Sequence, residues 1–164
     1  MRLFLFAAAL PLLAMGSGAV ALLGPEHIKP VHSEKCLDVA FGSPANGARV
    51  IQFSCHEGDN QKWRIEPAGH GMVLLIARHS GKCMDVNEAS LQDRAAIIQF
   101  DCHRETNQKF FIESVGHDPA DPRVRIRAVH SSKCLDVEGG NILDNAHLVQ
   151  FPCHDQTNQL FRLR

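Results

Sequence analysis

Three sets of residues in this chain have side chains and spacings suited to chemistry. Cys36, Cys83 and Cys134 are each followed two positions later by an aspartate: Asp38, Asp85 and Asp136. Cys55, Cys102 and Cys153 are each followed directly by a histidine (His56, His103 and His154) and preceded by two positions by a phenylalanine (Phe53, Phe100 and Phe151). Asn60, Asn107 and Asn158 each stand immediately before a glutamine. Carboxylates accept hydrogen bonds, amides both donate and accept, and thiols either oxidise in pairs or bind a soft metal. The Cys and His content raises zinc first. That reading fails on spacing, because no C-x2-C pair occurs and adjacent Cys-His residues rarely converge on one tetrahedral ion. No metal site and no other cofactor is expected.

The elements that must position these side chains are three copies of one unit. Residues 32–61, 79–108 and 130–159 align without a gap over 30 columns, thirteen of them identical in all three copies. Each copy runs His-Ser-x-Lys-Cys-(Leu/Met)-Asp-Val, then Ala-x-x-x-Gln-Phe-x-Cys-His, and closes on Asn-Gln. Such internal repetition decides the architecture before any local assignment. Short apolar runs such as Met72 to Ala77 and Ala48 to Phe53 alternate with turn residues, and no stretch after the first residues sustains a helical period. Asn46-Gly47, Asp93-Arg94 and Asp144-Asn145 share columns that read as hairpin turns, with Arg94 the poorest fit to a left-handed backbone. A unit of 40–50 residues with about four strands suggests a propeller blade or a trefoil lobe, and three blades are too few for a propeller. The expected fold is therefore all-β, a β-trefoil with pseudo-threefold symmetry.

The repeat also selects a cysteine pairing. Six cysteines allow many connectivities, but a threefold structure favours the same local bond in every copy: Cys36–Cys55, Cys83–Cys102 and Cys134–Cys153. Disulfides imply an oxidising compartment. The N-terminus agrees, since Arg2, an apolar run from Leu3 to Leu13 and the A-x-A site Ala19-Val20-Ala21 form a signal peptide cut before Leu22. The expected division is a signal peptide over 1–21 and one domain over 22–164, with repeats near 28–70, 71–117 and 118–164. The product would be secreted or periplasmic, and monomeric. A net charge of −1 offers no basic surface for nucleic acid, and no second long apolar stretch exists to hold the mature chain in a membrane.

Cys-Leu-Asp-Val, then Gln-aromatic-x-Cys, then Asn-Gln-x-aromatic resembles the repeat of the ricin B-type lectin family. Gln61-Lys62-Trp63 keeps the family's Q-x-W signature, and Gln108-Lys109-Phe110 and Gln159-Leu160-Phe161 replace Trp by Phe. The resemblance spans about residues 28–164. It implies that Trp63, Phe110 and Phe161 meet at the threefold axis beside Val39, Val86 and Val137. Gln61, Gln108 and Gln159 should hydrogen-bond backbone in the adjoining turn.

The resemblance further implies glycan partners and up to three equivalent, weak sugar sites. Asp38, Asp85 and Asp136 would accept hydrogen bonds from neighbouring sugar hydroxyls. Asn60, Asn107 and Asn158 would assist, and His56, His103 and His154 would reach the sugar from the loop. Phe53, Phe100 and Phe151 would offer an apolar wall. Gln52, Gln99 and Gln150 directly precede these phenylalanines, whereas the family order leaves one residue between. Strand neighbours face opposite sides, so either the Phe faces ligand or the Gln does. His32, His79 and His130, with Lys35, Lys82 and Lys133, read as structural. An enzyme is disfavoured, because one aspartate per lobe does not make the paired carboxylates of a glycosidase. The alternative to a lectin is a binding-silent trefoil that serves as a protein-interaction or toxin-delivery subunit.

Overall fold

The computed structural model describes residues 27–164, so the signal-peptide reading lies outside the described residues. Among the described residues, twelve strands form three lobes of four. Lobe 1 holds β1 (Ile28–Pro30), β2 (Cys36–Val39), β3 (Val50–Phe53) and β4 (Trp63–Pro67). Lobe 2 holds β5 (Met72–Ala77), β6 (Cys83–Val86), β7 (Ile97–Phe100) and β8 (Phe110–Val115). Lobe 3 holds β9 (Arg123–Ala128), β10 (Cys134–Val137), β11 (Ala146–Phe151) and β12 (Leu160–Leu163). The loop between β8 and β9 is largely exposed and longer than the loop between β4 and β5.

The first and fourth strands of the lobes pair around the axis: β4 with β5, β5 with β8, β8 with β9, β9 with β12, and β12 with β1. The second and third strands form the hairpins β2–β3, β6–β7 and β10–β11. These hairpins touch one another at equivalent positions, Arg49 opposite Ile98, Ala96 opposite Val149, and His147 opposite Ile51. The threefold pattern of the sequence is thus a ring of contacts in space.

Trp63, Phe110 and Phe161 are fully buried in one core cluster with Val39, Val86 and Val137. The Trp63 indole N–H donates to the carbonyl of Leu37 at 3.1 Å, a partner that a buried indole requires and a phenyl ring does not. The disulfides are Cys36–Cys55, Cys83–Cys102 and Cys134–Cys153, one per lobe, as the repeat implies.

The lobes are also clasped through polar groups, and these explain several repeated columns. Gln52 Nε2 donates to the carbonyls of Asn141 and Leu143, and the His32 ring contacts the carbonyl of Asn141. Gln99 and His79 make the same bonds to Ser43 and Ala45 of lobe 1, and Gln150 and His130 to Ser90 and Gln92 of lobe 2. Each Gln accepts from a serine of its own lobe (Ser33, Ser80 or Ser131) at 2.7 Å. The lysines join in, Lys35 pairing with Asp144 at 2.6 Å and Lys133 with Asp93 at 2.7 Å. Where lobe 1 carries Asn46 in that column, Lys82 pairs instead with Asp101, to which Asn46 donates. Every lobe therefore holds the loop of the lobe before it.

Candidate functional site

The hairpin register places the chemistry. Asp38 pairs opposite Ile51 and Cys36 opposite Phe53, so Asp38, Ile51 and Phe53 share one face of β2–β3. Leu37 and Gln52, opposite each other, share the inward face. This register puts Phe and Gln on opposite sides: Gln52, Gln99 and Gln150 are fully buried in the clasp. Phe53, Phe100 and Phe151 are partly exposed and line surface pockets.

Each lobe has one such pocket, and each gathers the same four side chains. Asp38, Phe53, His56 and Asn60 line the first (≈ 470 Å³), Asp85, Phe100, His103 and Asn107 the second (≈ 330 Å³), and Asp136, Phe151, His154 and Asn158 the third (≈ 240 Å³). All twelve candidate residues are brought together in three congruent groups.

The aspartates are nearly buried and tightly held. Gln61, Gln108 and Gln159 each donate Nε2 to an aspartate Oδ2 at 2.8 Å and to a nearby backbone carbonyl. Their Oε1 atoms accept the N–H of His56, His103 and His154, the turn bond expected of them. The bond to the carboxylate is additional to that expectation. The 3₁₀ turns Asp59–Gln61, Thr106–Gln108 and Thr157–Gln159 place these amides beside the acid.

The histidines are oriented by their own loops. Nδ1 of His56, His103 and His154 accepts the N–H of Gly58, Glu105 and Gln156 at 3.0, 3.2 and 3.2 Å. Nε2 therefore carries the ring proton, and it faces Oδ2 of Asp38, Asp85 and Asp136 at 3.3, 3.2 and 3.2 Å. The ring edges meet Phe53, Phe100 and Phe151 with centroids 6.3, 6.2 and 6.3 Å apart. Asn60, Asn107 and Asn158 donate to the carbonyls of Val39, Val86 and Val137, and Asn107 also donates to Asp85 Oδ1 at 3.1 Å.

Burial pushes the carboxyls of Asp38, Asp85 and Asp136 above the ordinary carboxylate range, and the bonds from Gln, His and Asn oppose that without cancelling it. A carboxylate has about four lone-pair sites, and the fixed partners occupy two or three. What remains is an acceptor with unused capacity, beside an apolar ring, at the floor of an open pocket. That arrangement suits a ligand with hydroxyl donors on one side and C–H groups on the other.

The walls around this shared floor differ, and the sequence columns that form them lie in the variable stretch, where only a turn was expected. The loop after β2, β6 or β10 carries two consecutive left-handed residues: Phe41 and Gly42, Glu88 and Ala89, Gly139 and Gly140. The preceding lobe adds a turn residue, Asn145 to the first pocket and Arg94 to the third. Arg94 does sit in the left-handed region, at φ 64°, the strain its column implied.

A family model described as "Ricin-type beta-trefoil lectin domain-like" matches residues 24–100 and 106–164. No curated protein sequence matches. Among solved structures, the chain is similar to a designed 3-fold symmetric protein, ThreeFoil, at 40% identity and a TM-score of 0.81, covering 86% of this chain and 98% of that one. It is similar to an exo-β-1,3-galactanase from Clostridium thermocellum at 26% identity and a TM-score of 0.79, covering 85% of this chain but only 30% of the galactanase. The Rhizoctonia solani agglutinin shares the fold at 21% identity and a TM-score of 0.75, covering 96% and 98% of the two chains.

Proposed function

The chain belongs to the ricin-type β-trefoil lectin domain-like family, and from that premise we propose that it is a secreted, non-catalytic carbohydrate-binding protein with one shallow sugar site per lobe. One observation carries the reading: the three pockets assemble the same Asp, Phe, His and Asn around a carboxylate pinned by Gln. In each, the acid would take hydroxyl hydrogens, the phenyl ring the sugar's C–H face, and the His and Asn groups the remaining polar contacts. Nothing in this set needs to make or break a bond. The three aspartates sit one to a lobe, each engaged by its own Gln and His, and Glu88 and Glu138, which line the second and third pockets, are not among their hydrogen-bond partners.

Three disulfides support an oxidising, extracellular destination. Three sites on one rigid body would raise avidity on a glycan-dense surface through effective concentration, even when each alone is weak. Galactose and its β-linked oligosaccharides are the first probes to try, given the sugar in the galactanase's name. A glycan array with the oxidised protein, run beside the Asp38→Ala/Asp85→Ala/Asp136→Ala variant, tests the assignment. The parent should bind a defined sugar set and the variant none of it. Equal binding by both would remove the aspartates from the site.

A further inference from the structure

Phe41 is the most exposed large apolar residue described, at 99%, and it is held with φ at 60°. A bulky L-residue in the left-handed region strains the backbone, and an uncovered phenyl ring forgoes burial. The fold gains nothing visible from it, since Phe41 belongs to neither apolar core cluster. The same column holds Glu88 in lobe 2 and Gly139 in lobe 3, so the loop needs no aromatic there.

What Phe41 does touch is open space on two sides. It walls the lobe-1 pocket, and it also walls a second cleft of ≈ 400 Å³ at the seam with lobe 3. The two hollows share Phe41, Ile51 and Asn145, so they are compartments of one groove. Ala40, Ala48 and Ile51 extend the apolar surface into the cleft, and His147 of lobe 3 supplies a polar end. In lobes 2 and 3 the Ala40–Phe41 pair is replaced by Asn87–Glu88 and Glu138–Gly139, which offer no apolar platform.

We propose that the lobe-1 site is a two-subsite groove for an oligosaccharide, whereas lobes 2 and 3 each hold a single sugar residue. This rests on the carbohydrate-binding reading and specifies its ligand class. The terminal residue would occupy the Asp38 pocket. The next residue lays its C–H face on Phe41, with hydroxyls toward Asn145 and His147.

The test uses three variants of the oxidised protein, each with the aspartates of two lobes changed to alanine. Each is titrated with galactose and β-1,3-galactobiose and screened on an array of mono- and oligosaccharides. The lobe-1-only form should prefer a disaccharide over its terminal monosaccharide by roughly twofold to tenfold, the range of one aromatic contact. In that background His147→Ala, in the second cleft alone, should weaken the preference and keep monosaccharide binding. Phe41→Gly should erase the preference, read as the ratio of the two affinities because Phe41 also walls the Asp38 pocket. Glycine accepts this backbone angle, so the melting temperature should hold or rise and misfolding does not confuse the result. An unchanged preference in Phe41→Gly, or none in the parent, overturns the proposal. If lobes 2 or 3 bind sugars and lobe 1 binds none, the groove falls while the lectin reading stands. If no lobe binds any saccharide, both fall.

Discussion

Replacing Asp136 by asparagine separates a ligand-binding role from a structural one, because the structure predicts opposite outcomes for the two. Asp136 Oδ2 accepts from Gln159 Nε2 at 2.8 Å and faces His154 Nε2 at 3.2 Å. The amide oxygen of asparagine can take both, so these two bonds survive. The other oxygen becomes an NH2 group, which cannot accept a hydroxyl hydrogen. Losing a charge-assisted hydrogen bond costs about 1.5–3 kcal/mol, or roughly 10- to 150-fold in affinity at lobe 3.

Stability should move the other way. Burial holds the folded-state pKa of Asp136 above its ordinary value, so the folded protein binds more protons than the unfolded chain between those two values. The group's favourable contribution is present at low pH and lost as pH rises through the folded pKa. At pH 7 the neutral amide is therefore the easier group to bury. Asp136→Asn should melt at the same temperature or higher at pH 7, with any advantage shrinking on acidification. An NMR titration reads each lobe separately, through the amides of His56 and Gly58, His103 and Glu105, or His154 and Gln156. Lobe 3 should weaken while lobes 1 and 2 are unmoved. Unaltered lobe-3 affinity together with a fall in melting temperature would refute the reasoning and make Asp136 a turn-stabilising residue.

Sugar affinity in the parent protein should decline as pH drops, with a midpoint above the ordinary carboxylate range, because the acceptor is lost on protonation of the three buried acids; isothermal titration across pH 3.5–7, about the span of interest for raised carboxyls, checks this. Removing one staple with Cys83→Ser/Cys102→Ser releases a 19-residue separation and should cost about 3 kcal/mol, near 10 °C in melting temperature by calorimetry, without scrambling the other two bridges. Ala89→Gly should stabilise by about 0.5–1 kcal/mol in a denaturant titration, since Ala89 holds φ at 49° where lobes 1 and 3 carry Gly42 and Gly140.

Much of this was legible from residue columns alone, for a physical reason. A repeat that closes on itself must put equivalent residues in equivalent surroundings, so identical columns report positions where one environment occurs three times. The disulfide pairing, the buried Trp63, Phe110 and Phe161, and the grouping of Asp with Phe, His and Asn all follow from that. The facing of Phe53 against Gln52 was not legible, because it depends on hairpin register, and a slip by one residue would exchange them. The donation from Gln61, Gln108 and Gln159 to the acids was hidden for a related reason. It joins residues 23 apart, and nothing local distinguishes a buried amide that bonds backbone from one that also bonds a carboxylate. The pocket-wall roles of Phe41 and Arg94 were not legible, because their columns differ between copies and repetition carries no information there.

The directional clasp has an evolutionary consequence. Gln52, Gln99 and Gln150 each reach backward, so the contact is head-to-tail and closes after three steps. A solitary repeat would expose its amide donors and its carbonyl acceptors with no internal way to join them. Three identical copies could satisfy one another by assembling as a homotrimer, the natural ancestor of a fused chain. His27 and Arg164 exchange backbone hydrogen bonds, so the seam where such a ring would have been linked is still held shut at the polypeptide ends described. New termini could be opened at the β4–β5 or β8–β9 connection with the old ones joined, and the same ring should re-form from a reordered gene.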